Sequence, residues 1–213
     1  MGTDRRGRLI VISAPSGTGK STVCRIIGSR SPEVAISISF TTRRPRGSEK
    51  NGVEYHFVDD AEFDRMVDGN MFLEWAEVHG RRYGSGREET EKLISAGKDV
   101  LFDIDVQGGQ QIKQAVPEAL LVFLLPPSID ELVHRLSKRK TESQSEMQRR
   151  LQVAVWEMEQ GRNYDHHVIN DDLDRAVDAV EKIRKAAGEK TVKMGEKLDS
   201  LIQEAHRRFG VTD

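Results

Sequence analysis

Cysteine is nearly missing from this chain: Cys24 is the single thiol in 213 residues. No internal disulfide can form, and the neighbours Val23, Ile26 and Ile27 mark Cys24 as a small core side chain in a protein compatible with a reducing compartment. Long hydrophobic runs are missing too. The N-terminal MGTDRRGR leads only into LIVI, far short of the ~7–15 apolar residues of a signal peptide or the ~20 of a membrane span, so a soluble, cytoplasmic protein with no membrane partner is expected. There is no excess of one charge, since 33 Lys and Arg stand against 35 Asp and Glu for a net charge of −2. That balance argues against a nucleic-acid partner bound through bulk charge and leaves local arginine clusters for small anions. The histidines, His56, His79, His134, His166, His167 and His206, show no paired metal-ligand spacing, which leaves them packing or surface roles. Repeats and low-complexity linkers are absent as well.

What remains is an α/β chain long enough for one substantial core. Short apolar runs at 9–12 (LIVI), 100–105 (VLFDID) and 119–125 (ALLVFLL) are separated by stretches of helical spacing, the pattern of parallel strands covered on both faces by helices. Val23, Ile26 and Ile27 form one helical stripe, and Ile129, Leu132, Val133 and Leu136 another, the latter with Ser128 as its cap. Between 37 and 91 aromatics are scattered among Arg, Glu and Gly in strand-like pieces, which reads as an inserted mixed α/β subdomain facing a substrate. Residues 137–150 hold almost no apolar side chain and read as a solvated hinge or cover. The core is thus expected in 8–36, 92–136 and 151–187. A helical extension follows over 188–213, with a stripe at Met194, Leu198, Leu201, Ile202, Ala205 and Phe209 that suits either its own core or a homo-oligomer contact.

The chemistry starts at SAPSGTGKST. After a strand and before a helix, Ala14, Pro15, Ser16, Gly17, Thr18, Gly19, Lys20, Ser21 and Thr22 form a phosphate-binding loop. The glycines leave room for backbone N–H groups to converge on an anion at a helix N-terminus. Lys20 reaches the terminal phosphates of a nucleotide, and the Ser21 hydroxyl is placed to ligate magnesium. Ala14 departs from the usual glycine at the first position and requires a negative φ there. At the end of VLFDID, Asp103 is the candidate to orient Mg2+ through water and Asp105 to face a second substrate; the alternative is that one or both cap the helix starting near Val106.

A second anion site is expected in SFTTRRPRGSEKNGVEYHF, where Arg43, Arg44 and Arg46 lie beside Ser39 and Tyr55, because guanidinium forks match phosphate oxygens. FLEWAEVHGRRYGS adds Glu74, Tyr83, Gly84 and Ser85. With these motifs, FDIDVQG, the arginines at 135–150 and VINDDL in this order, the chain resembles the guanylate kinase family over about residues 8–187. The resemblance implies a P-loop core with a GMP-binding subdomain (37–91) and a lid (137–150), and transfer of a phosphoryl group from Mg·ATP to GMP or dGMP in purine metabolism. It implies that Arg43, Arg46, Tyr55 and Tyr83 hold the GMP phosphate. Ser39, Glu74, Ser85 and Asp105 then lie at the guanine end, with Gly84 also among the GMP-binding residues. Arg139 and Arg150 resemble lid arginines acting with Lys20 and Arg43 in catalysis, Arg135 assists at the ATP phosphates, and Asn170 contacts adenine. Lys140, Ser48 and His167 depart from the family pattern. The base argument is chemical: guanine offers adjacent N1–H and N2–H donors to an ionised Glu74 carboxylate, and adenine does not. Related domains also serve as binding modules for phosphorylated proteins; the intact Lys20, Ser21 and lid arginines weigh against that alternative. A kinase of another small phosphorylated acceptor is weighed against by Glu74 and Ser39.

Overall fold

The computed structural model describes residues 6–78, 80–137, 144–186 and 195–209. The first half runs β1 (Leu9–Ser13), α1 (Lys20–Arg30), β2 (Val34–Ile36), β3 (Phe40–Thr41), β4 (His56–Phe57), α2 (Asp60–Asp68), β5 (Phe72–Val78), β6 (Arg81–Gly86) and α3 (Arg87–Ser95). The second runs β7 (Asp99–Asp103), α4 (Val106–Ala115), β8 (Leu120–Leu125), α5 (Ile129–Ser137), α6 (Gln144–Gly161), β9 (His166–Ile169), α7 (Leu173–Lys185) and α8 (Gly195–Phe209).

The main sheet is parallel, in the order β2-β7-β1-β8-β9. Its central strand β1 is buried along its whole length, which is why LIVIS carries no alternating charge. The two-residue period still sorts the side chains. Leu9, Val11, Val100, Phe102, Leu121 and Phe123 pack on one face with residues of α4, α5, α6 and α8. Ile10, Ile12, Leu101, Val122 and Leu124 pack on the other with α1 and α7, and Cys24 lies in that cluster, where burial pushes its thiol pKa up. Helix starts are set by side chains: Ser128 Oγ accepts the Glu131 N–H at 3.2 Å, and Asp172 accepts from Arg175 at 2.9 Å.

A second, mixed sheet, β4-β3-β6-β5, forms the inserted subdomain. Phe63, Met66 and Phe72 make its small separate core, with Arg82 stacked 4.7 Å above the Phe63 ring and paired to Asp60 and Asp64.

The three expected strands and the expected helices are present, with differences at the borders. β2 and β9 were not anticipated: β2 is three residues long, and β9 carries His166 and His167 in a buried strand. His167 Nε2 lies 2.9 Å from the Gly161 carbonyl, a contact that an aliphatic side chain could not make. The expected lid-to-core border at 150/151 falls inside the continuous helix α6, and α3 runs across the border expected at 91. Helix α8 turns Leu198, Leu201, Ile202 and Ala205 into the protein's own core, and His206 and Asp199 pair with Glu159 and Arg162 of the α6 region. Its stripe is therefore covered within the chain; Met194 lies outside the described residues. No helix among the described residues is long and apolar enough to cross a membrane.

Under the sheet, the Arg184 guanidinium reaches Asp99 (2.9 Å), Glu33 (2.6 Å) and Glu181 (2.7 Å). Burial works against its charge, but these carboxylates hold its pKa above the ordinary value. Asp99 is fully buried, so Arg184→Ala strands a carboxylate. The expected loss is about 3 kcal/mol of unfolding free energy in urea titration, the low end for a broken buried pair because Arg8 stays near Asp99.

Candidate active site

The phosphate loop is shaped by two backbone positions. Gly17 (φ +87°) and Gly19 (φ +96°) are left-handed, and a Cβ on either would stand 3.0 Å from Leu136 or Asn170. Ala14 is buried against β1's neighbours, and among the described residues only Asn70 is a non-glycine with positive φ, so the departure at position 14 is accommodated as required. Helix α1 starts at Lys20 with no capping side chain and no acid in its first turn. Its first amides and its dipole face the cavity in front of the loop, an arrangement that suits an anion.

The back of the loop is clamped. The Thr18 carbonyl accepts from Asn170 Nδ2 (2.6 Å) and from Arg135 (3.1 Å), while Arg135 is itself held by Glu131 at 2.6 Å. Ser16 N–H donates to Glu157 Oε2 at 3.1 Å, and Arg150 reaches Ser16 Oγ at 3.4 Å. The cavity in front, about 700 Å³, is lined by Ala14 to Gly17, Gly19 to Thr22, Asp105, Arg135, Arg150 and Trp156 among others.

Lys20 crosses to the end of β7, where its ammonium meets Asp103 at 2.6 Å and the Ile104 carbonyl at 2.8 Å. Burial disfavours the charge, yet Asp103 outweighs it and raises the lysine's pKa. Asp105 caps α4, as the alternative reading expected, accepting the Gly108 N–H at 2.9 Å, and the same side chain lines both cavities. Ser13 Oγ pins this turn by donating to the Ile104 carbonyl at 2.9 Å while accepting from the buried Tyr164 hydroxyl at 2.7 Å.

On the other side of Lys20 lies a smaller cavity of about 190 Å³, lined by Lys20, Ser39, Tyr55, Glu74, Tyr83, Asp103 and Asp105 among others. Glu74 stands in its wall at 5% exposure. Burial pushes its carboxyl up to about 7, against the Ser85 hydroxyl that donates to it at 2.6 Å, and Asp105 adds to the rise. Gly108 makes this fit possible, since a Cβ there would lie 2.6 Å from Glu74 Oε2. Arg43 is stacked 5.1 Å over Tyr55 and forked onto Glu49 through two 2.9 Å bonds, which raises its pKa. Tyr83 stands edge-on to Tyr55 at 5.9 Å.

Most of the expected residues therefore converge around Lys20. Others do not: Gly84 faces away from Tyr83 and Ser85, where a Cβ would lie 2.8 Å from the Phe72 ring, and Arg46 is exposed with its backbone N–H on Glu49. Asn170 grips the loop from behind. Arg139 and Lys140 lie outside the described residues. Sequence reasoning missed Glu49, Gly108, Gln111 and Glu157. Gln111 on α4 exchanges two hydrogen bonds with the Trp75 backbone of β5, at 3.1 and 2.9 Å, tying the second sheet to the core. Glu157, sitting between Val155 and Met158 in an apolar stretch, was the one with a readable signal.

Among the described residues there is no group of three His, Cys, Asp or Glu that could hold a metal alone. The oxygens of Ser21 and Asp103 suit a hard cation that keeps waters and takes its remaining ligands from phosphates, which is the habit of Mg2+.

A guanylate kinase family model matches residues 6–187. A guanylate kinase of Nitratidesulfovibrio vulgaris is 44% identical over 206 residues, covering 95% of this chain and 98% of its own. One from Thermobifida fusca is 50% identical over 177 residues, covering 83% and 90%. The crystal structure of guanylate kinase from Anaplasma phagocytophilum superposes over 100% of both chains with a TM-score of 0.72 at 28% identity.

The Ser85 hydroxyl is what holds the Glu74 carboxyl down against its burial. Replacing it, Ser85→Ala, is expected to move the Glu74 titration upward from about 7. Carboxyl NMR shifts followed against pH measure this directly, and an unmoved titration contradicts the assigned contact.

Proposed function

The chain belongs to the guanylate kinase family, and as such is a nucleoside monophosphate kinase; we propose that it transfers the γ-phosphoryl group of Mg·ATP to GMP, and more weakly to dGMP, within cytoplasmic purine nucleotide metabolism. The carrying observation is that the two anion cavities share Lys20 and Asp105, so donor and acceptor phosphates would meet at one ammonium group.

Phosphoryl transfer needs alignment and charge neutralisation more than covalent help. In our reading the α1 amides and Lys20 hold the β- and γ-phosphates in the larger cavity. Arg135 steadies the loop behind them, and Asn170 sets its adenine end. Arg43, Arg46, Tyr55 and Tyr83 receive the GMP phosphate, with Arg43 bridging toward the γ-phosphoryl group as Arg150 and Arg139 cover it. Ser21 and, through water, Asp103 would hold magnesium, which when bound neutralises phosphate charge. On ligand binding Lys20 exchanges part of its contact with Asp103 for phosphate oxygens, so its ammonium is delivered already oriented.

Glu74 supplies base choice. Guanine's N1–H and N2–H need the ionised carboxylate, with Ser39, Ser85 and Asp105 completing that end. A site built around such donors rejects an analogue lacking them by up to about 10⁴–10⁵. Because the free carboxyl titrates near 7 between Lys20 and Asp105, GMP binding should release a proton and strengthen as pH rises through about 7.

An ADP-release assay with GMP, dGMP, AMP and dTMP tests this. Strong turnover is expected on GMP, weaker on dGMP and little on the others. Glu74→Ala should lose most of the GMP preference, and an unchanged preference removes the base-recognition argument. Phosphopeptide binding without turnover would instead identify a non-catalytic docking module.

A further inference from the structure

Helix α6 meets the phosphate loop at one residue through two side chains. Glu157 Oε2 accepts the Ser16 N–H at 3.1 Å, across 141 residues of sequence. Arg150, two turns earlier on the same helix, approaches Ser16 Oγ at 3.4 Å. The helix between and beyond them is fixed: Leu151, Ala154, Val155 and Met158 are buried in the main core, and Glu159 is paired to His206 of α8 at 2.7 Å. We propose that Glu157 is a positioning residue for the transfer reaction, fixing the tip of the ATP phosphate loop to helix α6 through Ser16. This rests on the reading that the loop holds ATP.

The choice of an acid is the informative part. A buried position next to Val155 and Met158 is packed best by an aliphatic side chain, and a carboxylate in the wall of a cavity for polyanions is costly. Its hydrogen bond to the loop is what an aliphatic residue could not supply. Burial pushes Glu157 up to about 7, opposed by the Ser16 N–H and by Lys20 and reinforced by Asp105. The other charged groups lining the cavity are Arg135 from α5, Arg149 and Arg150 from α6 itself, and Glu77 from β5. A triphosphate entering this cavity disfavours the ionised carboxyl, so ATP binding takes up a proton at Glu157. The sign is opposite to that at Glu74: ATP binding weakens, through this group, as pH rises through about 7.

The test measures kcat and KM for each substrate in the wild type, Glu157→Ala and Glu157→Gln from about pH 6 to about pH 8.5. Glu157→Ala should raise the KM for ATP roughly tenfold, as for one lost hydrogen bond to the loop, while the KM for GMP moves less than about twofold. Glu157→Gln keeps an oxygen that accepts from Ser16; it should recover most of that loss and lack the ATP-specific pH step near 7. Unchanged kinetics in Glu157→Ala, or equal damage to both substrates in both variants, overturns the proposal. If the alanine variant does not fold, a Glu157→Gln pH profile superimposable on the wild type overturns it equally. Wild-type protein that fails to phosphorylate GMP would instead count against the functional reading beneath it.

Discussion

Helix α1 opens without a capping side chain, which leaves its first amides turned to the cavity, and the site is arranged around that opening. A capping serine or aspartate there would stabilise the helix and occupy those amides. The fold instead secures the loop from behind, through Asn170 and Arg135 at Thr18 and through α6 at Ser16, and leaves the front open. Lys20 is treated alike. Its charge is kept by Asp103 rather than neutralised by burial, and its contact with the Ile104 carbonyl ties it to the turn that Ser13 and Tyr164 pin.

The same crowding gives the site its proton chemistry. Glu74 and Glu157 flank the two cavities from different elements, both poorly solvated and both within the field of Lys20 and Asp105. On the proposed reading one accepts hydrogen bonds from a base and the other shares a wall with phosphates, so nearly equal starting values would lead to opposite linkage. Burial raises both. What each faces decides which form binding selects.

The loop and the buried strands were legible because their information is local. Glycines at 17 and 19, the lysine that follows them and uninterrupted apolar runs each carry meaning within ten residues. The acceptor residues were legible only through motif order, since nothing local says that Ser39, Glu74 and Asp105 share one wall. β2 was too short to show a period, and β9 was obscured by two histidines that the fold buries in place of apolar residues. The polar start of α6 resembled a cover segment, because its apolar stripe begins only near Leu151. Glu49, Gly108 and Glu157 act through partners that tertiary structure brings near, and a carboxylate's partner cannot be read from its own position. Gly84 shows the converse: it lies inside a recognised motif, yet packing against Phe72 accounts for it.

Gln111 has a consequence beyond tethering. Strand β5 is the outer strand of its sheet, seven residues long with a partly exposed tryptophan, and such a margin invites pairing with another molecule's backbone. The Gln111 carboxamide offers Trp75 one donor and one acceptor, as a neighbouring peptide group would. One side chain thus stands in for a missing strand, and the backbone of Trp75 at this margin is already paired within the chain.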